Sequence, residues 1–153
     1  MKFDIQNFGK FEIKNIILDF NGTIAKDGKI KEKIPYYFQK LSKDFEIYII
    51  TSDTHGSAAS QLQNLPVKLQ ILTSSNHTQE KAEFVKKLKN TFAVGNGNND
   101  SLMLKESTLG VCVIEDEGAA AKSIINADII TKSVYNALEL LLNPKRITAT
   151  LRM

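Results

Sequence analysis

Asp19 is the residue of this chain that is most clearly placed to do chemistry. It ends the apolar run Ile16-Ile17-Leu18 and is followed by the turn-forming residues Asn21 and Gly22. A continuous apolar run favours a strand that is buried on both faces, as in a parallel sheet. Open α/β sheets bind ligands at the carboxyl edge of such strands. The pattern therefore predicts a reactive carboxylate at a ligand-binding edge, where Gly22 allows the backbone to turn closely around the ligand.

Three later stretches extend this pattern. The segment Asp19-Phe20-Asn21-Gly22-Thr23 resembles the first motif of the haloacid-dehalogenase (HAD) superfamily, usually Asp-x-Asp-Gly-Thr. The later motifs are matched in order by Ile49-Ile50-Thr51-Ser52-Asp53, by Lys81 in Gln79-Glu80-Lys81-Ala82-Glu83, and by the loop Gly95-Asn96-Gly97-Asn98-Asn99-Asp100. The stretch from Val94 to Ala127 is similar to the hinge segment of P-type ATPases. The chain thus resembles a soluble, capless, P-type-ATPase-like phosphatase.

The resemblance implies phosphoryl transfer, which requires a nucleophile placed in line and neutralisation of spreading negative charge. Asp19 would attack phosphorus and form an aspartyl-phosphate. Thr51 would donate a hydroxyl to a phosphate oxygen, and Lys81 would bring a positive charge to the phosphoryl group and to Asp19. The implied catalytic residues are Asp19, Asn21, Thr51 and Lys81, and the implied substrate-binding residues are Thr51, Ser52, Lys81 and Asn99.

The resemblance also implies a Mg²⁺ site, since Mg²⁺ takes oxygen ligands and retains several waters. The implied ligands are the Asp19 carboxylate, the main-chain carbonyl of Asn21, and side chains of the glycine-asparagine loop, Asn96 and Asp100. Asn96 replaces an aspartate of the superfamily motif, so the cation has one negative ligand fewer. We expect Asp100 to take more of the metal contact and Mg²⁺ to bind weakly.

Asn21 replaces the second aspartate of the first motif, which in the superfamily protonates the leaving oxygen and then activates water. An amide cannot transfer a proton at neutral pH, and general acid–base help is typically worth roughly 10²–10⁴-fold, or about 3–5 kcal/mol of barrier. The sequence therefore predicts a slow Mg²⁺-dependent phosphatase. Two alternatives stay open: a regulatory module that binds phosphate and metal without useful turnover, and a structural partner protein in which Asp19, Thr51 and Lys81 lie apart.

The alternation of strands and helices predicts a three-layer, Rossmann-like α/β fold with a parallel sheet. We expect one domain over residues 1–153, with an N-terminal β-hairpin at 1–14 and a packed or loose tail at 143–153. One predicted strand ends at Asp19, and the others cover residues 45–50, 67–72, 91–94, 109–114 and 128–130. The predicted helices cover residues 35–41, 56–63, 118–124 and 134–142, and two further helices carry Lys81 and Leu102.

The same resemblance places the Asp19 strand between the strands of Thr51 and Gly95. Superfamily members set their substrate with a cap inserted between the motifs. Here the stretches between Thr23, Thr51 and Lys81 are filled by the predicted helices and strands, including a small hairpin or flap at 24–30. We therefore expect no cap domain.

Composition limits the range of partners. The chain is 42% hydrophobic and 24% charged, as in soluble globular proteins. A net charge of +3 does not predict nucleic-acid binding, and no apolar run approaches the ~20 residues of a membrane span.

Cys112 lies in an apolar run and is predicted to be a buried thiol. His55 and His77 have no partners at ligand spacing and are predicted to be surface or capping residues.

We expect a cytoplasmic protein that acts on a phosphorylated small molecule or a phosphoprotein. Without a cap, the site would be open. Such a site would suit either a macromolecular substrate or a homo-oligomer, such as a tetramer, in which neighbouring subunits form the lid. The hairpin at residues 1–14 is the candidate interface.

Overall fold

The computed structural model describes residues 1–53 and 56–153, in which strands and helices alternate along the chain. The strands are β1 (Lys2–Ile5), β2 (Gly9–Glu12), β3 (Asn15–Asp19), β4 (Ala25–Lys26), β5 (Lys29–Ile30), β6 (Glu46–Thr51), β7 (Lys68–Ile71), β8 (Thr91–Gly95), β9 (Leu109–Val113) and β10 (Ile129–Thr131). The helices are α1 (Ile34–Leu41), α2 (Ser57–Leu62), α3 (His77–Leu88), α4 (Ser101–Glu106), α5 (Ala121–Asn126), α6 (Val134–Leu142) and α7 (Lys145–Leu151), with a 3₁₀ turn at Asn98–Asp100.

The strand that ends at Asp19 lies inside a six-stranded parallel sheet. The spatial order is β10-β9-β8-β3-β6-β7, so β3 pairs with β6 on one side and with β8 on the other. The predicted neighbours of the Asp19 strand are therefore confirmed. Because the strands are parallel, Asp19, Thr51 and Gly95 all reach the same edge of the sheet.

Helices cover both faces of this sheet. Ile16 and Leu18 point into a large apolar cluster that includes residues of α1, α2, α6 and α7. Ile17 points to the opposite face, into a second cluster that includes Val85 of α3 and Leu104 of α4. The predicted three-layer α/β fold is confirmed, and burial of both faces explains why β3 is apolar up to its last residue.

Two small antiparallel hairpins accompany the sheet. Strands β1 and β2 pair around Asn7, which has a φ of 60°, and the buried Phe3 and Ile5 join the larger cluster. Strands β4 and β5 form the predicted flap; its turn residues Asp27 and Gly28 have φ values of 50° and 76°, the left-handed geometry that tight hairpins favour.

The predicted and observed bounds differ most at α5. The apolar spacing predicts a helix over 118–124, but α5 begins at Ala121. Gly118 has a φ of 78° and Ala120 is extended, so neither has helical backbone geometry. The C-terminal segment, for which the sequence left a packed or loose tail open, forms α7 with Ile147 and Leu151 buried in the larger cluster.

Three further features are the segment between β3 and β6, the single cysteine and the length of the helices. The segment between β3 and β6, described throughout, holds the flap and α1 and no separate cap. Cys112 is fully buried, as predicted. Among residues 1–53 and 56–153, no helix has both the length and the apolar character needed to cross a membrane.

Candidate active site

One lysine ammonium lies between two carboxylates at the carboxyl edge of the sheet. The Lys81 Nζ atom donates to Asp19 Oδ1 and to Asp100 Oδ1, each at 2.6 Å. The three side chains come from α3, β3 and the 3₁₀ turn. Lys81 is 1% exposed, Asp100 is fully buried and Asp19 is 8% exposed. Of the three, Asp19 is the one that keeps access to solvent.

Burial and charge shape the protonation of this cluster. Burial and then the nearby Asp100 charge raise the pKa of Asp19 from 3.8 to about 7, although Lys81 acts in the opposite direction. Burial by itself lowers the pKa of Lys81, but the charges of Asp19 and Asp100 outweigh it and raise that pKa. Two carboxylates thus share one permanently charged ammonium, and an additional cation near Asp19 would favour its ionised form.

Asp100 is turned away from solvent, and both of its oxygens already have partners. Oδ1 accepts from Lys81, while Oδ2 accepts from the backbone N–H groups of Asn96 and Gly97 at 3.0 and 2.9 Å. A Cβ on Gly95 would lie 2.5 Å from Asp100 Cγ, so glycine is required beside this carboxylate. The position of Asp100 does not support the predicted metal contact; it holds Lys81 and the glycine-asparagine loop in place.

The first-motif turn and the glycine-asparagine loop pack directly against each other. Asn96 is 8% exposed; its Oδ1 accepts from Thr23 Oγ1 at 3.5 Å and its Nδ2 donates to the Gly118 carbonyl at 3.1 Å. Gly22 has a φ of 76°, and a Cβ there would lie 2.8 Å from Asn96 Nδ2. Glycine is therefore required at position 22 both for its backbone geometry and for this close approach.

A small polar cavity of about 100 Å³ opens over Asp19 and Lys81. It brings together every predicted site residue except Asp100. The residues that line it are Asp19, Asn21, Thr51, Ser52, Leu72, His77, Lys81, Asn96, Gly97 and Asn99. The structural-partner hypothesis required Asp19, Thr51 and Lys81 to lie apart, and the structure contradicts it.

Thr51 and Asp53 have separate positions at the end of β6. Thr51 is 3% exposed and borders the cavity, and its Oγ1 accepts from the Asp53 backbone N–H at 3.3 Å. The Asp53 carboxylate accepts from the N–H groups of Ala58 and Ala59 at 3.0 and 3.2 Å. Asp53 therefore caps the start of α2, where backbone donors lack helical partners.

His77 is the cavity residue that the sequence prediction missed. The prediction of a surface or capping role rested on the lack of a partner at ligand spacing. The structure makes His77 the first residue of α3 and places it in the cavity wall, partly buried. The available signal was its position four residues before Lys81, since residues four apart lie on the same face of a helix. The other histidine, His55, lies outside the described residues.

The donor set over the cavity fits a hard divalent cation. Asp19, Asn21 and Asn96 can all present oxygen atoms there, and oxygen ligands are what Mg²⁺ prefers. In the described part of the chain, no three His, Cys, Asp or Glu side chains form a metal-binding cluster. With Asp100 turned inward, Asp19 supplies the one negative ligand of the set. This donor set suits weak binding.

A sequence relative spans nearly half of the chain. The uncharacterized protein MJ0073 of Methanocaldococcus jannaschii is 55% identical over 64 residues, which cover 42% of this chain and 69% of that protein. No family model matches the chain.

Solved structures match the fold over most of its length. A protein of Legionella pneumophila assigned to the HAD superfamily (subfamily III A) superposes with a TM-score of 0.71, 16% identity, and coverage of 91% of this chain and 87% of that one. A second match is a 3-deoxy-D-manno-octulosonate 8-phosphate phosphatase of Moraxella catarrhalis, solved with magnesium, phosphate and KDO. Its TM-score is 0.68 at 17% identity, and the alignment covers 92% of this chain and 94% of that one. At these identities, the likeness establishes the fold.

The catalytic domain of the CPx-ATPase CopB-B matches less of its own length. Its TM-score is 0.59 at 20% identity, and the alignment covers 76% of this chain and 45% of that one. The fold is therefore also similar to that of a CPx-ATPase catalytic domain.

Replacing Lys81 by Met should destabilise the protein strongly, because two buried carboxylates would lose their shared cation. Breaking a buried ion pair typically costs about 3–5 kcal/mol. Urea denaturation of K81M checks this. The matched control is Lys87→Met, an exposed lysine on the same helix, for which we expect a change below about 1 kcal/mol. Equal losses in the two variants would contradict the shared-cation arrangement.

Asp19→Asn should gain stability relative to wild type as pH rises. The pKa of Asp19 is about 7 in the folded chain, against the ordinary aspartate value of 3.8. The folded chain therefore holds this proton more tightly, and the free energy of unfolding falls as pH rises through that interval. Asn does not titrate. Because one pKa unit corresponds to about 1.4 kcal/mol, the difference between D19N and wild type should grow by about 1 kcal/mol or more from pH 5 to pH 8.

The measurement is urea denaturation of both proteins at both pH values, with a chelator present so that no cation acts on Asp19. A difference in unfolding free energy that stays constant between pH 5 and pH 8 would show that Asp19 does not titrate in this interval.

Proposed function

This chain belongs to the same family as the Methanocaldococcus jannaschii protein MJ0073 and has the fold of the HAD superfamily. We propose that it is a Mg²⁺-dependent phosphatase. The reaction is hydrolysis of phosphoric monoesters through an aspartyl-phosphate on Asp19. The observation that carries the proposal is the convergence of Asp19, Lys81 and Thr51 on one small cavity at the carboxyl edge of the sheet.

Each residue has a role that follows from its position. The Asp19 carboxylate attacks phosphorus, the bond from phosphorus to the leaving oxygen breaks, and water later releases phosphate from Asp19. Lys81 is fixed by Asp19 and Asp100 at 2.6 Å and supplies a permanent positive charge beside the transferred group. Thr51, Ser52 and Asn99 border the cavity and donate to phosphate oxygens.

The resident cation would be held by the Asp19 carboxylate, the Asn21 carbonyl and Asn96. When bound, Mg²⁺ supplies positive charge that offsets the repulsion between the Asp19 carboxylate and the substrate phosphate. It also favours the ionised form of Asp19, whose pKa burial has raised. The position of Asp100, with both oxygens already hydrogen-bonded, leaves it the task of orienting Lys81.

Asn21 sets the substrate preference. It is exposed and lines the cavity, but its amide cannot protonate a leaving oxygen. Aryl and acyl phosphates have leaving groups that depart without an acid, whereas alkyl phosphates need one. The enzyme is therefore slow and favours aryl or acyl phosphates.

The wider setting follows from the open site and the modest net charge. The natural substrate is a phosphorylated small molecule or a phosphoprotein, and neither nucleic acid nor a membrane is a partner. The protein acts in the cytoplasm as a soluble, P-type-ATPase-like phosphatase. If it assembles as a homo-oligomer, for example a tetramer, the hairpin of β1 and β2 forms the contact.

One specific observation favours a second candidate. Asp19 is the sole anionic member of the proposed cation-binding set, and Asn21 provides no proton transfer. A catalytically weakened module that binds phosphate and metal for regulation would have these same features. Turnover that depends on Asp19 separates the enzyme from this module.

The purified protein should hydrolyse an aryl phosphate such as p-nitrophenyl phosphate in the presence of Mg²⁺. We expect hydrolysis to exceed that of a simple alkyl phosphate by roughly 10²-fold or more, because acid catalysis contributes on this scale. Release of nitrophenol and of phosphate measures the two rates. Chelation of Mg²⁺ and Asp19→Asn should each abolish turnover. Activity that survives Asp19→Asn would contradict the nucleophile assignment.

Asn21→Asp should accelerate hydrolysis of alkyl phosphates by roughly tenfold or more and change aryl phosphates much less, because it restores a proton donor. The kcat values on the two substrates give the result. Asn98→Asp is the matched control, because it adds the same charge at an exposed loop position that does not line the cavity. No gain in N21D, or an equal gain in both variants, would mean that Asn21 does not limit the rate.

A further inference from the structure

His77 is partly buried and lines the cavity that holds Asp19 and Lys81. It is the first residue of α3 and lies one helical turn before Lys81, on the same face of the helix. The imidazole and the ammonium therefore border the same polar cavity. No step of the reaction proposed above uses this histidine.

The start of α3 is fixed by hydrogen bonds on both sides of His77. The Asn76 Oδ1 atom accepts from the Gln79 backbone N–H at 3.2 Å and caps the helix. Glu80 reaches back to the preceding loop, where its carboxylate accepts from the N–H groups of Thr73 and Ser74 at 3.0 and 2.9 Å. These contacts hold the backbone that carries His77 at the cavity wall.

Few side chains around the cavity can exchange a proton near neutral pH. Asp19 is the nucleophile. Lys81 keeps its proton, because Asp19 and Asp100 raise its pKa against the effect of burial. The other described residues that border the cavity carry amides, hydroxyls, an aliphatic chain or no side chain. Histidine is the side chain that enzymes most often use as a general acid.

We propose that His77 is a further catalytic residue, a general acid that supplies part of the proton transfer that Asn21 cannot provide, a role that rests on the proposed phosphatase function. As Asp19 forms its bond to phosphorus, the bond to the leaving oxygen breaks and the electron pair stays on that oxygen. Protonated His77 gives its N–H proton to this oxygen, and the alcohol leaves. Water then attacks the aspartyl-phosphate, the bond from phosphorus to Asp19 breaks, and inorganic phosphate leaves. The proton released in this step returns to His77 through the solvent, so Asp19 and protonated His77 are restored.

The charged groups around His77 are compatible with its role as the proton donor. Lys81 lies one turn further along α3, the Asp19 carboxylate borders the same cavity, and the Glu80 carboxylate lies nearby on the helix. Lys81 and Asp19 form a 2.6 Å ion pair with each other, and Glu80 is bound to backbone donors. None of these groups is free to replace the imidazole as a proton donor to the substrate.

The test is a leaving-group comparison on His77→Gln in the presence of Mg²⁺. We expect kcat for an alkyl phosphate to fall roughly tenfold or more, while kcat for p-nitrophenyl phosphate and both KM values change less than about twofold, because only the poor leaving group needs the acid. The double variant N21D/H77Q should recover the alkyl activity. Gln79→Ala is the control on the same helix, since Gln79 is exposed and outside the cavity.

The outcomes separate this inference from the function on which it depends. Equal losses on aryl and alkyl phosphates, or a rise in KM with kcat unchanged, would assign His77 to phosphate binding and overturn the proposal while the phosphatase stands. A wild-type protein without Asp19-dependent turnover would overturn both. Thermal unfolding of His77→Gln and of a second variant, His77→Asn, shows whether a loss of kcat comes from misfolding. If the loss of kcat follows the loss of thermal stability in both variants, His77 has a structural role and not a catalytic one.

Discussion

The structure around the cavity depends on one ammonium group shared by two buried carboxylates. Lys81 contacts Asp19 and Asp100 at 2.6 Å each and so ties α3 to β3 and to the turn after β8. Burying charges is costly unless they are paired, so each of the three groups requires the others. Burial, together with the negative charge of Asp100, raises the pKa of Asp19 to about 7. A site of this kind favours binding of an additional cation beside Asp19. It also suits a substrate with an electrophilic group that the Asp19 carboxylate can attack.

Two asparagines distinguish this site from the motif that it resembles. Asn96 lies at the cavity edge and is held by Thr23 and Gly118, where an aspartate would add a second negative ligand. Asn21 also lines the cavity, but its amide cannot protonate a leaving oxygen. Relative to that motif, the two asparagines remove negative charge and a carboxyl proton donor.

Much of the fold and most of the site follow from local patterns. The apolar run before Asp19 and the polar residue that ends β6 place both groups at one sheet edge, because parallel strands share a direction. The inward turn of Asp100 was not predictable, since it depends on Lys81 arriving from α3 and on N–H groups of the loop. His77 was missed because its significance comes from the cavity opposite it. The later start of α5 reflects left-handed geometry at Gly118, which spacing alone does not encode.

The most direct measurement is a crystal structure of the protein grown with Mg²⁺ and beryllium fluoride, a mimic of the phosphoryl group on aspartate. We expect beryllium bonded to a carboxylate oxygen of Asp19, with fluorides facing Thr51 and Lys81 and the cation against Asp19 and the Asn21 carbonyl. Beryllium fluoride bound elsewhere, or absent from Asp19 while the Lys81 bridge stays intact, would show that these groups do not form a phosphoryl-transfer site.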